Sequence, residues 1–272
     1  MPLLERSGCC VIEKWNGLVI RSTDIGDYDR ILTVLTAERG KITVFCRGVK
    51  RFQSRIAHGT DLYTYAEFVL FRGKEDYRLQ ECSPIETFFS LRQDIEKLSL
   101  AGYFCDVANE ICLEDNNERD MLQLLLNALW CLQKGEKPPQ LIKAAYEFRS
   151  AAIAGFAPDL SICLSCKNAN GSSPTLDVMA GGILCGECAE RTRDALLAGA
   201  LDPGEARILL PLSQDVLAGL HYILTADAKR QFSFTVDPSV LPQLNAAAET
   251  YLISHIGHSF KTLSFYKSLA GM

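Results

Sequence analysis

Hydrophobic and polar residues alternate over short stretches in the first 84 residues, which is the pattern of half-buried β-strands. Five such stretches, rich in β-branched and aromatic residues, cover 11–20, 30–36, 41–49, 62–71 and 77–82. Turn signals such as Gly26-Asp27 and Arg39-Gly40 separate them. Five short strands without a large amphipathic helix predict a small Greek-key barrel, the OB-fold. An SH3-like or other small barrel is the alternative.

From Pro84 onward the apolar residues recur with the period of helices. The predicted helices cover 91–112, 121–132, 140–154, 187–197, 204–210, 213–225 and 237–260. The last one opens on Asp237-Pro238, an N-cap followed by proline at the first helical position. The pattern therefore predicts a multidomain α+β chain: an OB-fold at 1–84, a helical domain at 85–160 and 191–272, and an insertion at 161–190.

The insertion contains four cysteines in two Cys-x-x-Cys pairs, Cys163 with Cys166 and Cys185 with Cys188, separated by 18 residues. This spacing is typical of a tetrahedral structural zinc site in a small ribbon. The alternatives are two disulfides, unrelated buried cysteines, or a redox motif. We predict one structural Zn²⁺, whose four thiolate ligands leave no position for catalysis.

Composition changes the picture mainly through cysteine. The 272 residues are 48% hydrophobic and include 11 cysteines, an odd number in a chain too long for a disulfide-stapled mini-domain. No signal peptide pattern opens the chain and no apolar run is long enough to span a bilayer. We therefore expect a folded protein of the reducing cytoplasm without a membrane segment, in which the other seven cysteines are small buried hydrophobes.

The net charge of −5 argues against strong nonspecific binding to nucleic acid, but its distribution is uneven. The first 84 residues contain 13 Lys and Arg against 11 Asp and Glu. Four cations cluster around one aromatic residue there: Arg47, Lys50, Arg51, Phe52 and Arg55. Such a loop can anchor phosphates, and Phe52 can stack on an unpaired base. The alternatives are a solvated loop and a core position for Phe52.

Other basic residues of the barrel are weaker candidates for a nucleic-acid track: Arg21, Arg30, Arg39, Lys41, Arg72, Lys74 and Arg78. Arg21 and Arg30 lie close in sequence to Asp24, Asp27 and Asp29, so a structural salt bridge is expected for at least one of them.

Enzyme signatures are missing from the sequence. None of the four histidines lies in the His-x-Glu segment of a zinc deaminase. The two cysteine pairs face each other across a glycine-containing ribbon, unlike the single pair of a thioredoxin-like βαβ unit. The sequence also lacks a Gly-x-x-x-x-Gly-Lys-Ser/Thr phosphate loop. We expect a binding protein without catalytic residues.

With a small barrel followed by a helical domain and an inserted cysteine ribbon, the chain resembles the RecO family of bacterial recombination mediators. The likeness rests on residues 21–32 (RSTDIGDYDRIL), residues 47–51 (RGVKR) with Ser54-Arg55, and residues 146–149 (YEFR) through 155–160 (GFAPDL) into Cys163. In the second stretch, Arg47 stands for the family's lysine, Val49 for its alanine and Lys50 for one of its arginines. Together with the cysteines, these stretches extend the resemblance over nearly the whole chain.

The resemblance implies an OB-fold, a helical domain and an inserted zinc ribbon. It also implies a DNA repair and recombination protein of the bacterial cytoplasm and nucleoid. Such proteins bind single- and double-stranded DNA and anneal complementary strands. With RecR they help load RecA onto DNA coated by single-stranded DNA-binding protein. The acidic net charge departs from what a DNA-binding family member suggests. We therefore expect this protein to bind DNA weakly by itself and more strongly with RecR.

The resemblance further implies a docking site for the acidic, Phe-ended tail of the single-stranded DNA-binding protein. Its candidates are Lys143, Arg149 and Phe148, where a cation would pair with the tail carboxylate beside an apolar pocket. Surface charges beside core aromatics are the alternative. A second function stays open, a zinc-ribbon OB-fold protein that binds RNA or another protein, because nothing in the sequence marks recognition of the 2′-hydroxyl.

Overall fold

The computed structural model of this chain describes residues 12–51, 54, 56–73, 77–169, 172–199 and 207–271. The chain forms two compact units. The first comprises Met1–Asp94 with Cys105–Leu126, and the second comprises Ile95–Phe104 with Asn127–Met272. Among the described residues, no helix combines the length and the apolarity that crossing a membrane requires.

The first unit contains a closed barrel of five strands. They are β1 (Ile12–Ile25), β2 (Asp29–Thr36), β3 (Gly40–Cys46), β4 (Tyr65–Arg72) and β5 (Tyr77–Glu86). Their order around the barrel is β1-β2-β3-β5-β4. Neighbours are antiparallel except β3 and β5, which are parallel and join at Val44–Tyr77 and Phe45–Arg78. The predicted five-stranded, OB-like barrel is therefore confirmed.

Alternate residues of each strand fill the barrel interior, because successive side chains of a strand point to opposite faces. Val34, Val44, Phe68 and Leu70 are completely buried in this core. The same alternation directs Thr43 and Phe45 of β3 to the outer face. Short 3₁₀-helices at Ala57–Thr60 and Phe89–Gln93 lie before β4 and after β5.

Gly40, where β3 begins, requires the conformational freedom of glycine. Its φ is +60°, and a Cβ at this position would collide with the carbonyl oxygen of Leu113. Gly40 pairs with Glu114, and the Lys41 backbone N–H donates to Leu113 O at 3.0 Å. The β2–β3 turn therefore lies directly against the 113–118 segment of the same unit.

The remaining regular structure is largely helical. The helices are α1 (Ile95–Ile111), α2 (Arg119–Lys134), α3 (Pro139–Ala151), α4 (Gly186–Leu197), α5 (Gln214–Thr225), α6 (Leu241–Ile256) and α7 (Lys261–Leu269). In the second unit α3 packs against α5 and α6, with Tyr146, Phe148 and Tyr251 fully buried. A single π-helical turn, Ala152–Phe156, follows α3, and Gly155 there has a φ of 95°.

The predicted insertion, 161–190, contributes to a small sheet that also includes residues on either side of it. Its strands are β6 (Asp159–Cys163), β7 (Thr175–Asp177), β8 (Gly182–Leu184) and β9 (Leu209–Pro211), in the order β6-β8-β7-β9. The strand β9 corrects one expectation, since 204–210 was predicted as a helix. Residues 204–206 lie outside the described residues, and Leu209 and Leu210 pair with Asp177 and Leu176 of β7.

Two further differences concern the end of the chain. The helix predicted over 237–260 begins only at Leu241, because Asp237 accepts the N–H and the hydroxyl of Ser239 in a turn that precedes it. The helix ends at Ile256, before Gly257 with a φ of 84°. The short helix α7 follows and was not predicted.

Candidate metal centre and nucleic-acid interface

The four cysteine sulfurs come together at one end of the small sheet. Cys163 ends β6, Cys185 directly follows β8, and Cys188 lies in the first turn of α4. All four Sγ atoms lie within 4.8 Å of one another. The Sγ atoms of Cys166 and Cys185 are 3.7 Å apart. A tetrahedral site with Zn–S bonds of about 2.3 Å places its sulfurs roughly 3.8 Å from one another.

Hydrogen bonds to the sulfur atoms stabilise the thiolate form of two of these cysteines. Burial opposes ionisation of Cys163, but backbone N–H groups of Cys166, Cys185 and Ser165 outweigh it and lower the pKa of Cys163 to about 6. The Cys185 N–H lies 3.3 Å from the Cys163 sulfur, and Arg191 donates to the Cys188 sulfur at 2.9 Å.

Crowding has the opposite effect on Cys185. The Cys188 N–H favours its thiolate, but the neighbouring sulfurs prevail and raise the pKa of Cys185 to about 11. Thiolates this close repel one another unless a cation lies between them. The four cysteines therefore fit a metal ion, which all four could bind with no coordination position left for a substrate.

The segment 47–55, which we call the basic loop, begins with a turn whose backbone is held by residues at the start of β2. The Gly48 N–H donates to Asp29 Oδ1 at 2.7 Å, and the Lys50 N–H donates to Tyr28 O at 3.1 Å. The turn continues with a bond from the Arg51 N–H to Gly48 O at 3.2 Å. These bonds determine where the side chains of the loop project.

The loop presents two cations that no described carboxylate neutralises. Arg47 is exposed and forms no ion pair with any residue that the structure describes. The guanidinium of Arg51 lies 5.5 Å from the centre of the exposed Tyr28 ring. Lys50 instead pairs with Asp24 at 2.9 Å. Hydrogen bonds from Lys50 and Arg30 hold the pKa of Asp24 below its ordinary value.

Two other candidates have structural partners. Arg30 is mostly buried and pairs with Asp24 at 2.9 Å and with Asp61 at 3.3 Å. The Lys41 ammonium donates to the carbonyl oxygen of Asn109, in the last turn of α1, at 2.5 Å. These contacts hold both cations in the fold and use part of their hydrogen-bonding capacity. Arg21 is exposed, whereas Phe52 and Arg55 lie outside the described residues.

The predicted partner site does not form a surface, and this corrects the expectation for Lys143 and Phe148. Phe148 is fully buried against Tyr251, and Lys143 is 1% exposed. Lys143 pairs with Glu147 at 2.9 Å and with Glu249 at 2.8 Å, so its charge is already matched. Arg149 donates to the carbonyl oxygens of Ile223 and Leu224 at the end of α5.

A groove that the sequence did not reveal lies on the barrel beside Arg47. It has a volume of about 630 Å³, and its lining residues are Asp29, Phe45, Arg47, Arg78 and Leu79. Arg78 was one of the weaker cation candidates, and Phe45 was not considered. Strand alternation is the signal that would have found Phe45, because it places this aromatic residue on the outer face with Thr43.

The second unit has a cleft of about 290 Å³ lined by aromatic and basic residues. Trp130, which is 44% exposed, and Phe232 form its apolar part. Three lysines line it as well, Lys134, Lys137 and Lys229, together with Glu136. The Lys134 ammonium lies 5.4 Å from the centre of the Trp130 ring.

An OB-like barrel with exposed arginines, a helical unit and a four-cysteine ribbon define a class of nucleic-acid-associated protein, and the comparisons with known proteins identify its family. Residues 12–88 match the family described as "Recombination protein O N terminal", and residues 92–264 match "Recombination protein O C terminal". The chain belongs to the RecO family of DNA repair proteins.

Curated relatives agree over almost the full length. A DNA repair protein RecO of Acetivibrio thermocellus is 32% identical over 94% of this chain and 96% of its own. The RecO protein of Listeria monocytogenes is 29% identical over 95% of both chains. That of Alkaliphilus metalliredigens is 25% identical over 94% of this chain and 99% of its own.

Proposed function

We propose that this protein is a non-catalytic recombination mediator that binds single- and double-stranded DNA and anneals complementary strands. With RecR it would help load RecA onto DNA coated by single-stranded DNA-binding protein. The observation that carries the proposal is the pair of exposed arginines, Arg47 and Arg51, on a turn held by backbone hydrogen bonds. Each phosphate that a cation neutralises releases counterions, so such a turn anchors DNA without reading its sequence.

The ribbon supports this role as a structural element. We propose that Cys163, Cys166, Cys185 and Cys188 bind one Zn²⁺. Thiolate ligands and the tetrahedral spacing of the sulfurs favour zinc over magnesium or calcium, which prefer oxygen.

For the tail of the single-stranded DNA-binding protein we propose the Trp130 cleft instead of the Lys143 region. An acidic peptide that ends in phenylalanine needs an apolar wall and nearby cations, and Trp130, Phe232 and three lysines supply them. Lys229→Glu should weaken binding of such a labelled peptide in fluorescence anisotropy. Lys261→Glu, at an exposed position of α7, is the matched control, and equal affinities for both variants would reject the cleft.

Binding of an RNA strand by the same barrel is the second candidate function, since OB-folds serve both nucleic acids. Filter binding with DNA and RNA oligonucleotides of equal length, over a series of salt concentrations, separates the two. We expect DNA affinity to fall linearly with the logarithm of salt concentration, with a slope that Arg47→Ala and Arg51→Ala each reduce by about one. A strong preference for RNA, or no salt dependence, would contradict the proposal.

Annealing tests the whole activity. Complementary strands coated with single-stranded DNA-binding protein should pair faster when this protein is added, as followed by a fluorophore and quencher on opposite strands. The double variant Arg47→Ala, Arg51→Ala should lose most of the acceleration and retain its melting temperature, because both side chains are exposed. An unchanged rate would remove the basic loop from the site.

A further inference from the structure

The groove at β3 and β5 differs from a simple basic patch because the aromatic residue Phe45 lines it together with the two cations Arg47 and Arg78. Phe45 and Arg78 are directly paired across the parallel β3–β5 ladder. Arg47 follows Phe45 by two residues, just beyond the end of β3. All three side chains line the same groove of about 630 Å³, which is within the range of pockets that hold small organic ligands.

The charged residues that line the groove differ in whether they have partners. Arg47 and Arg78 are exposed and form no ion pair with another described residue. Among the lining residues that the structure describes, Asp29 is the one carboxylate, and it accepts the Gly48 N–H at 2.7 Å. The described part of the groove therefore presents two positive charges, and Asp29 already has a backbone donor.

Phe45 is half-buried on the outer face of the barrel, and Leu79, which packs against the barrel core, also lines the groove. A ring in this position offers a surface on which a flat, apolar group can stack. Bases of single strands have this shape, and stacking on an aromatic ring tolerates any base. In a duplex the base faces are already covered by their neighbours, so a duplex cannot use the ring without unstacking.

We propose that this groove is a single-strand subsite in which one unpaired DNA base stacks on Phe45 while Arg47 and Arg78 contact the phosphates on either side. The inference rests on the proposed DNA binding and adds a specific consequence. Phosphate contacts by the arginines serve both single strands and duplexes, whereas the Phe45 contact serves single strands alone.

The test compares single-stranded and duplex oligonucleotides on four variants of the full chain. Phe45→Leu keeps an apolar side chain and removes the ring, and Phe45→Tyr keeps the ring. Arg78→Ala removes one cation. Thr43→Ala, on the same outer face of β3, is the matched control. Melting temperatures establish that each variant is folded.

Phe45→Leu should lower single-strand affinity about fivefold to a hundredfold and leave duplex affinity within about twofold, since stacking is worth about 1 to 3 kcal/mol per base. Phe45→Tyr and Thr43→Ala should bind both like the original chain. Arg78→Ala should weaken both. A single strand with 2-aminopurine should lose fluorescence on binding to the original chain and less on binding to Phe45→Leu.

Two results would overturn the inference and leave the proposed function intact. One is an unchanged single-strand affinity for Phe45→Leu, and the other is an equal loss for single strands and duplexes. If the original chain binds neither form of DNA, the proposed function fails, and the inference fails with it. The duplex measurements therefore separate the two failures.

Discussion

At the scale of single residues, the most consequential feature is the cluster of charges around Lys143. Its ammonium contacts Glu147 and Glu249, Lys267 pairs with Glu249 at 2.7 Å, and the Tyr103 hydroxyl donates to Glu147 at 2.7 Å. Burial disfavours the Lys143 charge, but the two glutamates outweigh burial and raise its pKa. Lys143 is thus a charged residue within the helical core, where an unmatched partner is costly.

Removing this lysine tests the cluster. Lys143→Met should lower the free energy of unfolding by about 3 to 5 kcal/mol, because Glu147 stays buried without its cation. Chemical denaturation measures the change, and Lys261→Met, at an exposed position of α7, should remain within about 0.5 kcal/mol of the original chain. Adding Glu147→Gln to Lys143→Met should recover part of the loss. A small effect of the single substitution would mean that the cluster is solvated.

His255 gives a prediction for pH. Its ring centroid lies 4.4 Å from that of Tyr251, on which it stacks, and 4.7 Å from that of Phe156, and its buried Nδ1 has no hydrogen-bond partner among the described residues. Burial lowers the pKa of His255 below its ordinary 6.5. The unfolded chain therefore binds a proton at a higher pH than the folded chain, so this contribution to stability is complete above pH 6.5 and is lost as the pH falls below it.

The measurement is the free energy of unfolding between about pH 7.5 and pH 5. His255→Phe keeps an aromatic ring in the stack and should reduce the loss of stability on acidification. His221→Phe, on the exposed side of α5, should leave the loss as it is in the original chain. The expectation would be refuted if both variants lost the same free energy of unfolding on acidification.

At the scale of elements, the ribbon has only a small apolar core of its own, so the proposed ion would be its main source of stability. Its strands β7 and β8 have three residues each, and its apolar cluster contains few residues besides the cysteines. Small units of this kind fold together with their metal. With the proposed zinc bound, the four thiolates would hold the ribbon strands in place.

We expect about one zinc per chain by metal analysis. Cys166→Ser should remove it and increase hydrogen exchange in the ribbon strands, while the barrel strands keep their protection. Cys131→Ser, outside the cluster, should retain the metal. A strong chelator should reproduce the effect of Cys166→Ser on the original chain. Absence of zinc from freshly purified protein would reject the site.

How far the sequence predicts these elements depends on where their contacts lie. Strand alternation located all five barrel strands, and the Cys-x-x-Cys spacing located the cluster, because both signals are local. The strand β9 was missed because its three residues are held by pairing with β7, about thirty positions earlier. Lys143 was misplaced for a similar reason. Its i+4 partner Glu147 was visible, but Glu249 lies 106 residues away.

At the scale of the whole molecule, the position of each charge matters more than the net charge of −5. Asp24 illustrates this on the barrel, since it pairs with Lys50 at 2.9 Å in the basic loop. Arg30 also contacts Asp24 but keeps a second carboxylate, Asp61. Asp24 therefore reduces the positive potential of the loop, and its removal releases Lys50 without leaving Arg30 unpaired.

Asp24→Asn should raise DNA affinity and steepen its salt dependence by about one unit of slope, because one more cation becomes available to phosphates. Asp215→Asn makes the same change in net charge on exposed α5, in the other unit, and should leave both quantities nearly unchanged. Filter binding at several salt concentrations measures the two variants side by side. Equal gains would show that DNA responds to the total charge of the chain, whereas a gain confined to Asp24→Asn would locate the DNA at the basic loop.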